Sequence, residues 1–137
     1  RALALPALAQ HELAQVYKNS DLGLFPNRCE GGTNLVLMEY LACGKPAVVS
    51  YSSGHRDVVS EDNALLLRRF KPMALGKEGR VRAVWDDPDL EEVVERLEWA
   101  YQHPGELAEL GRRAGTSMEP FTWREVAARW AALLGPA

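Results

Sequence analysis

Three apolar runs divide the first half of the chain: Asp21–Phe25, Pro46–Ser50 and Asn63–Leu67. Each is too short for a helix and lacks polar alternation, the pattern of strands buried on both faces. Between them the period changes. Leu35, Met38 and Ala42 recur at helical spacing, with Leu37 and Leu41 alongside. Gly44 follows where a helix end takes a left-handed residue, and Pro46 prevents continuation. His11–Lys18 predicts an earlier helix with Leu13, Val16 and Tyr17 on one face, and His55–Val59 predicts a short one. The alternation predicts an α/β fold with right-handed crossovers. Its parallel strands are expected at about 21–25, 46–50 and 63–67, with helices at about 33–43 and 54–59 between them.

The second half is patterned differently. Residues 68–86 hold Pro72, Gly76, Gly79 and alternating charge, and predict an extended loop with a short ribbon around Arg80–Trp85. A loop of that length inside a domain is unusual unless it has a task. Three helices follow. The first opens at Asp87-Pro88, with proline in the first turn, acids Asp89, Glu91 and Glu92, and a stripe of Leu90, Val93, Val94, Leu97 and Tyr101. The second spans about 104–114 with Leu107 and Leu110 inward. The third begins with the capping box Thr122-x-x-Glu125, flanked by a Phe121–Val126 staple. Trp85, Trp99, Trp123 and Trp130 are expected in core or interhelix packing.

Composition narrows the function only by exclusion. The 137 residues suffice for one domain. The net charge of −3, with scattered basic residues, gives no reason to expect nucleic acid or an anionic membrane as partner. No apolar run approaches the roughly 18 residues of a membrane span. Cys29 and Cys43 make no disulfide framework and read as buried or half-buried thiols of a reducing, cytoplasmic compartment. The chain starts at Arg1 without a visible signal peptide, and reads as a piece of something longer.

The chemistry concentrates between the first strand and the next helix, in Cys29-Glu30-Gly31-Gly32-Thr33-Asn34-Leu35-Val36-Leu37-Met38-Glu39. Glycines allow close backbone approach, and the first helical N–H groups have no internal partner, so this turn can face a phosphate. Thr33 or Asn34 is the natural cap. Two carboxylates, Glu30 and Glu39, can accept from hydroxyl groups. Phosphate and polyol together suggest a nucleotide-sugar. Arg28 and His55 are candidates for the rim of the site.

These residues carry a resemblance. Phe25–Asn34, then Met38–Ser50 with its Gly44-Lys45-Pro46-Ala47-Val48, then Gly54–Val59, resemble the C-terminal, donor-binding domain of retaining GT-B glycosyltransferases, specifically glycosyl transferases group 1. The likeness is strong over about residues 8–70 and weak over the helical tail, about 87–134. It implies the second half of a Rossmann-like GT-B domain, truncated, with three of about six strands. It also implies a sugar donor bound as nucleotide diphosphate. Glu30 then contacts the donor sugar as the catalytic residue, Gly31, Gly32, Thr33 and Asn34 hold the diphosphate, and Glu39 binds the ribose. No metal and no cofactor are implied. The acceptor, a glycan, lipid or small molecule, would be bound by a missing domain, and any peripheral membrane contact would come only through missing parts.

One departure stands out. The family usually has seven residues between its glutamates; here there are eight. If the turn absorbs the extra residue, Glu39 keeps its direction; if the helix does, Glu39 swings by about 100°. Alone, the piece is expected to be inactive. The alternatives are another enzyme on this fold, such as a nucleotide-sugar epimerase or a phosphorylase, or a non-catalytic sugar-nucleotide binding module.

Overall fold

The computed structural model describes residues 2–77 and 79–135. Strands β1 (Gly23–Phe25), β2 (Ala47–Ser50) and β3 (Leu65–Leu67) form a parallel sheet in that spatial order. Leu24 lies opposite Val48, and Val49 opposite Leu66. Helix α1 (Gln10–Lys18) precedes β1, and α2 (Leu35–Ala42) crosses from β1 to β2. A 3-10 turn, Ser53–Asp57, replaces the expected short α-helix after β2.

Every side chain of β2 is buried because the sheet is covered on both faces. On one face Ala47, Val49 and Leu66 join Leu37 and Leu41 of α2, Ala114 of a later helix and Met118 just past its end. On the other, Val48 and Leu67 meet Val93. Gly23 is required by its neighbour: a Cβ there would stand 2.6 Å from the Tyr40 ring. Tyr40 in turn packs edge-on against Tyr17 and Phe25, with centroids 5.4 and 5.7 Å away, and its hydroxyl pairs with Ser20 Oγ at 2.7 Å. Burial raises the Tyr40 pKa, and the Ser20 bond offsets part of that rise.

α2 presents Leu37, Tyr40 and Leu41 to the core, whereas Leu35 and Ala42 are exposed and Met38 is half-buried. The helix is apolar nearly all round, so periodicity alone did not select its buried face. Its end is as expected: Gly44 has φ +72°. There α4 (Pro104–Ser117) comes so near that a Cβ on Gly111 would sit 2.6 Å from the Gly44 carbonyl oxygen.

The expected loop at 68–86 is a hairpin instead. β4 (Phe70–Lys77) and β5 (Arg80–Pro88) pair antiparallel from Phe70↔Pro88 outward, with an irregularity at Leu75/Gly76. A two-stranded ribbon has only edge strands, so Pro72 is tolerated in it. With both faces wet, apolar alternation is not required and was not visible. Pro88 therefore ends β5 rather than opening a helix. Asp89 caps α3 (Leu90–Gln102) by accepting from the Glu92 amide at 3.1 Å. The buried face of α3 is Glu92, Val93 and Ala100, while Leu90, Val94 and Tyr101 are exposed. The Glu92 carboxylate accepts from the Arg68 and Arg69 amides at 2.8 and 2.7 Å, so it binds the corner where β3 turns into the hairpin.

Helix α5 (Trp123–Leu134) closes the described chain, capped by Thr122 Oγ1, which accepts from the Glu125 amide at 3.4 Å. The tryptophans depart from expectation. Trp123 is 90% and Trp130 60% exposed, and Trp85 lies on the hairpin surface. Trp99 is half-buried and stacks on His103.

Candidate functional site

The carboxyl ends of β1 and β2 raise two loops on one rim, 26–34 and 51–55, where open parallel sheets place ligands. The loops are bonded to each other. The Glu30 amide donates to Ser53 Oγ at 2.8 Å, and the Gly54 amide donates to the Glu30 carbonyl at 3.4 Å. Ser53 holds φ +45°, a left-handed conformation that costs a non-glycine residue about 1–3 kcal/mol. Gly54 lies directly on the glycine turn: a Cβ there would be 1.6 Å from the Gly32 carbonyl oxygen.

Gly31 and Gly32 behave differently. Both are exposed, a Cβ on either would meet nothing within 4 Å, and neither has a positive φ. Neither packing nor backbone conformation asks for glycine at these positions. Among the described residues, none accepts a hydrogen bond from the amides of Gly31, Gly32, Thr33 or Asn34. The turn thus offers bare donors in front of α2, where the helix dipole adds to their positive potential.

Asn34 is the cap. Its Oδ1 accepts from the Leu37 amide at 3.0 Å, and its Nδ2 lies 3.0 Å from His55 Nε2. Both ends of its side chain are therefore occupied within the protein, which leaves its backbone amide as the part that can meet a ligand. His55, expected at the rim, is completely buried beneath the turn. Its Nδ1 lies 3.0 Å from the Ser50 carbonyl oxygen. The hydroxyls of Ser50 and Ser52 are buried at the same strand end without a partner among the described residues.

Glu30 is half-buried, with Oε2 3.5 Å from Asn27 Nδ2. Arg28 does not reach the turn. Its Nε pairs with Asp87 Oδ1 at 2.5 Å and its carbonyl accepts from the Asp86 amide at 3.0 Å, so it ties the loop to the hairpin base. Glu39 is half-buried on the α1 flank of α2. Burial raises the Tyr17 pKa, and the nearby Glu39 carboxylate raises it further. Five residues past the cap, Glu39 stands about 7.5 Å along the helix from the turn, and its Cα–Cβ bond leans back toward it. Cys29 is exposed rather than buried, and Cys43 is half-buried.

A hollow of about 560 Å³ opens beside this rim, walled by Leu24, Pro26, Asn27, Trp85 and Val93. A larger one, about 650 Å³, lies by Asp21, Lys45, Pro46 and Tyr101, at the amino ends of the strands. Open parallel sheets place ligands at the opposite, carboxyl end, so size does not select the site here. Among the described residues, no three His, Cys, Asp or Glu side chains cluster as metal ligands, and no helix is long and apolar enough to cross a membrane. The hairpin wall and the buried contact of His55 with Asn34 were not foreseen. Only the proximity of Gly54-His55 to the strand end hinted at the second.

A family model for glycosyl transferases group 1 matches residues 5–80, more than half of the chain. The match takes in α1, the parallel sheet, α2 and both rim loops, and ends within the hairpin. No curated protein matches the chain.

Proposed function

The chain belongs to glycosyl transferases group 1, and we propose that it carries the donor side of retaining sugar transfer from a nucleotide-diphospho-sugar. The supporting observation is the pair Gly31-Gly32: bare, exposed, and demanded by nothing inside the protein. In this reading the space in front of them belongs to a diphosphate, which a side chain at either position would crowd.

The chemistry follows from the geometry. As the glycosidic bond to the diphosphate breaks, negative charge grows on the leaving oxygens. The amides of Gly31 to Asn34 and the N-terminus of α2 face that charge without reorganising, which is the condition for lowering the barrier. Glu30, at the entrance of the turn, orients the sugar through its hydroxyls. Glu39 accepts from the ribose if the nucleoside lies along the α1 flank of α2. The acceptor, a glycan, lipid or small molecule, comes from outside this chain, and the work is done in the cytoplasm, where nucleotide-sugars are available.

Titration with UDP, GDP and ADP tests this, followed by amide resonances. Binding that rests on backbone donors and a helix end should be weak, about millimolar, or roughly 4 kcal/mol. Shifts confined to residues 30–39 are expected. A response elsewhere with silence at the turn would overturn the donor site. Micromolar affinity would favour a self-sufficient binding module over a transferase part.

A further inference from the structure

We propose that His55 is the positioning residue of the anion turn, holding the start of α2 to the end of β2 through the Asn34 cap; as a statement about transfer this rests on the donor-site reading above.

The Ser50 carbonyl only accepts, so His55 Nδ1, 3.0 Å away, carries the proton. The other ring nitrogen of the buried His55, Nε2, then accepts, because the group 3.0 Å from it is Asn34 Nδ2, a donor. The opposite amide orientation fails at the other end: Nδ2 would face the Leu37 N–H, donor against donor, at 3.0 Å. The relay therefore has one sense. Leu37 N–H donates to Asn34 Oδ1, Asn34 Nδ2–H to His55 Nε2, and His55 Nδ1–H to the Ser50 carbonyl. It links three elements, and it fixes the χ angles of the residue on which the first helical turn depends. The two bonds between Glu30 and the Ser53-Gly54 loop hold the other side of the same turn. The glycine amides are thus clamped from both flanks by one short segment, 53–55.

Preorganised donors lose effect when their frame can rotate. Without an acceptor at Nε2, Asn34 is free to leave the cap, and the amides in front of α2 fray. Two substitutions separate the halves of the imidazole. His55→Gln keeps an acceptor at the Nε2 position; His55→Asn keeps a donor at the Nδ1 position and removes that acceptor.

The test has a ligand-free arm and a ligand arm. In the first, 15N spectra of the wild-type chain should show a protonated Nδ1 and an unprotonated Nε2. Leu37 amide exchange should rise about tenfold in His55→Asn and stay within about twofold in His55→Gln. A protonated Nε2 in the wild type, or equal exchange in the two variants, overturns the proposal, and the wild-type spectrum decides even if a variant fails to fold. In the second arm, titration with inorganic pyrophosphate should show about tenfold weaker binding for His55→Asn and rescue by His55→Gln. A wild type silent to pyrophosphate with the expected tautomer and exchange supports the relay and counts against the donor site alone.

Discussion

Gly54→Ala isolates the contact between the two rim loops. Gly54 has no positive φ, so alanine can adopt its backbone and the perturbation is purely steric. The new methyl carbon would stand 1.6 Å from the Gly32 oxygen, 2.7 Å from its carbon and 3.4 Å from the Glu30 oxygen, all backbone atoms that cannot rotate away. Real Cβ atoms keep at least 3.0 Å, so the loops must part by at least about 1.4 Å, the difference between 3.0 and 1.6 Å. Overpacking of this kind costs about 1–3 kcal/mol. The Gly54–Glu30 bond, at 3.4 Å, would not survive such a shift and adds about 1 kcal/mol. A loss of roughly 2–4 kcal/mol, or a melting temperature lower by about 10 °C, is expected from calorimetry. Amide resonances of Gly31–Asn34 should move while those of α4 do not. Gly32→Ala is the control, since its Cβ meets nothing within 4 Å and its stability should stay within about 0.5 kcal/mol. Equal melting temperatures for Gly54→Ala and the wild type, with unmoved turn resonances, would refute the loop contact.

Glu30→Ala in the catalytically active protein should remove most turnover with little loss of stability, because among the described residues the side chain makes one long hydrogen bond, 3.5 Å to Asn27; near-normal kcat/KM with the true donor would rule its role out. Glu92→Ala should destabilise by about 2–4 kcal/mol in urea, since it leaves the Arg68 and Arg69 amides without their acceptor; a change below about 0.5 kcal/mol would contradict that bond pair. Asp89→Asn keeps a capping side chain but no charge. The bond from the Glu92 amide, then the Arg69 and Lys71 charges, hold the Asp89 pKa below the usual carboxylate value, against opposing desolvation. Its stabilisation is therefore present above about pH 4 and fades as pH falls through the depressed pKa. Wild type and Asp89→Asn should differ at neutral pH and converge in acid; a gap that widens in acid would reverse the assignment.

The parallel sheet was legible because its strands are unbroken apolar runs, Leu22–Phe25, Ala47–Val49 and Leu65–Leu67; burial on both faces explains the run in the central strand β2, whereas in the edge strand β1 Leu24 is exposed. The hairpin was not, because beyond its base it is wet on both faces: Lys71, Ala74, Arg82 and Val84 are exposed alike, and Pro72 and Gly76 read as breakers. The same limit explains α2 and α3. An all-apolar helix such as Leu35–Ala42 gives no phase to its burial, and α3 buries a glutamate, Glu92, that any polarity count places outside.

The site divides along a similar line. Bare amides at a helix start are a local property, so Glu30-Gly31-Gly32-Thr33-Asn34 announced itself from the sequence. What holds those amides still is not local. His55 lies 21 residues beyond Asn34, and Ser53 lies 23 beyond Glu30, yet each contributes a bond of 3.0 Å or less to the turn. The strand order makes this unavoidable, since β2 pairs directly with β1 and brings the loop that follows it alongside. That geometry also sets what each residue can be used for. On the proposed reading, a group that touches the substrate must stay exposed, as Gly31 and Gly32 are; a group that fixes the frame must be dry, as His55 is, because water at Nε2 would offer Asn34 an equivalent partner and release it. Burial of the imidazole is therefore the feature that turns one hydrogen bond into a constraint on the turn.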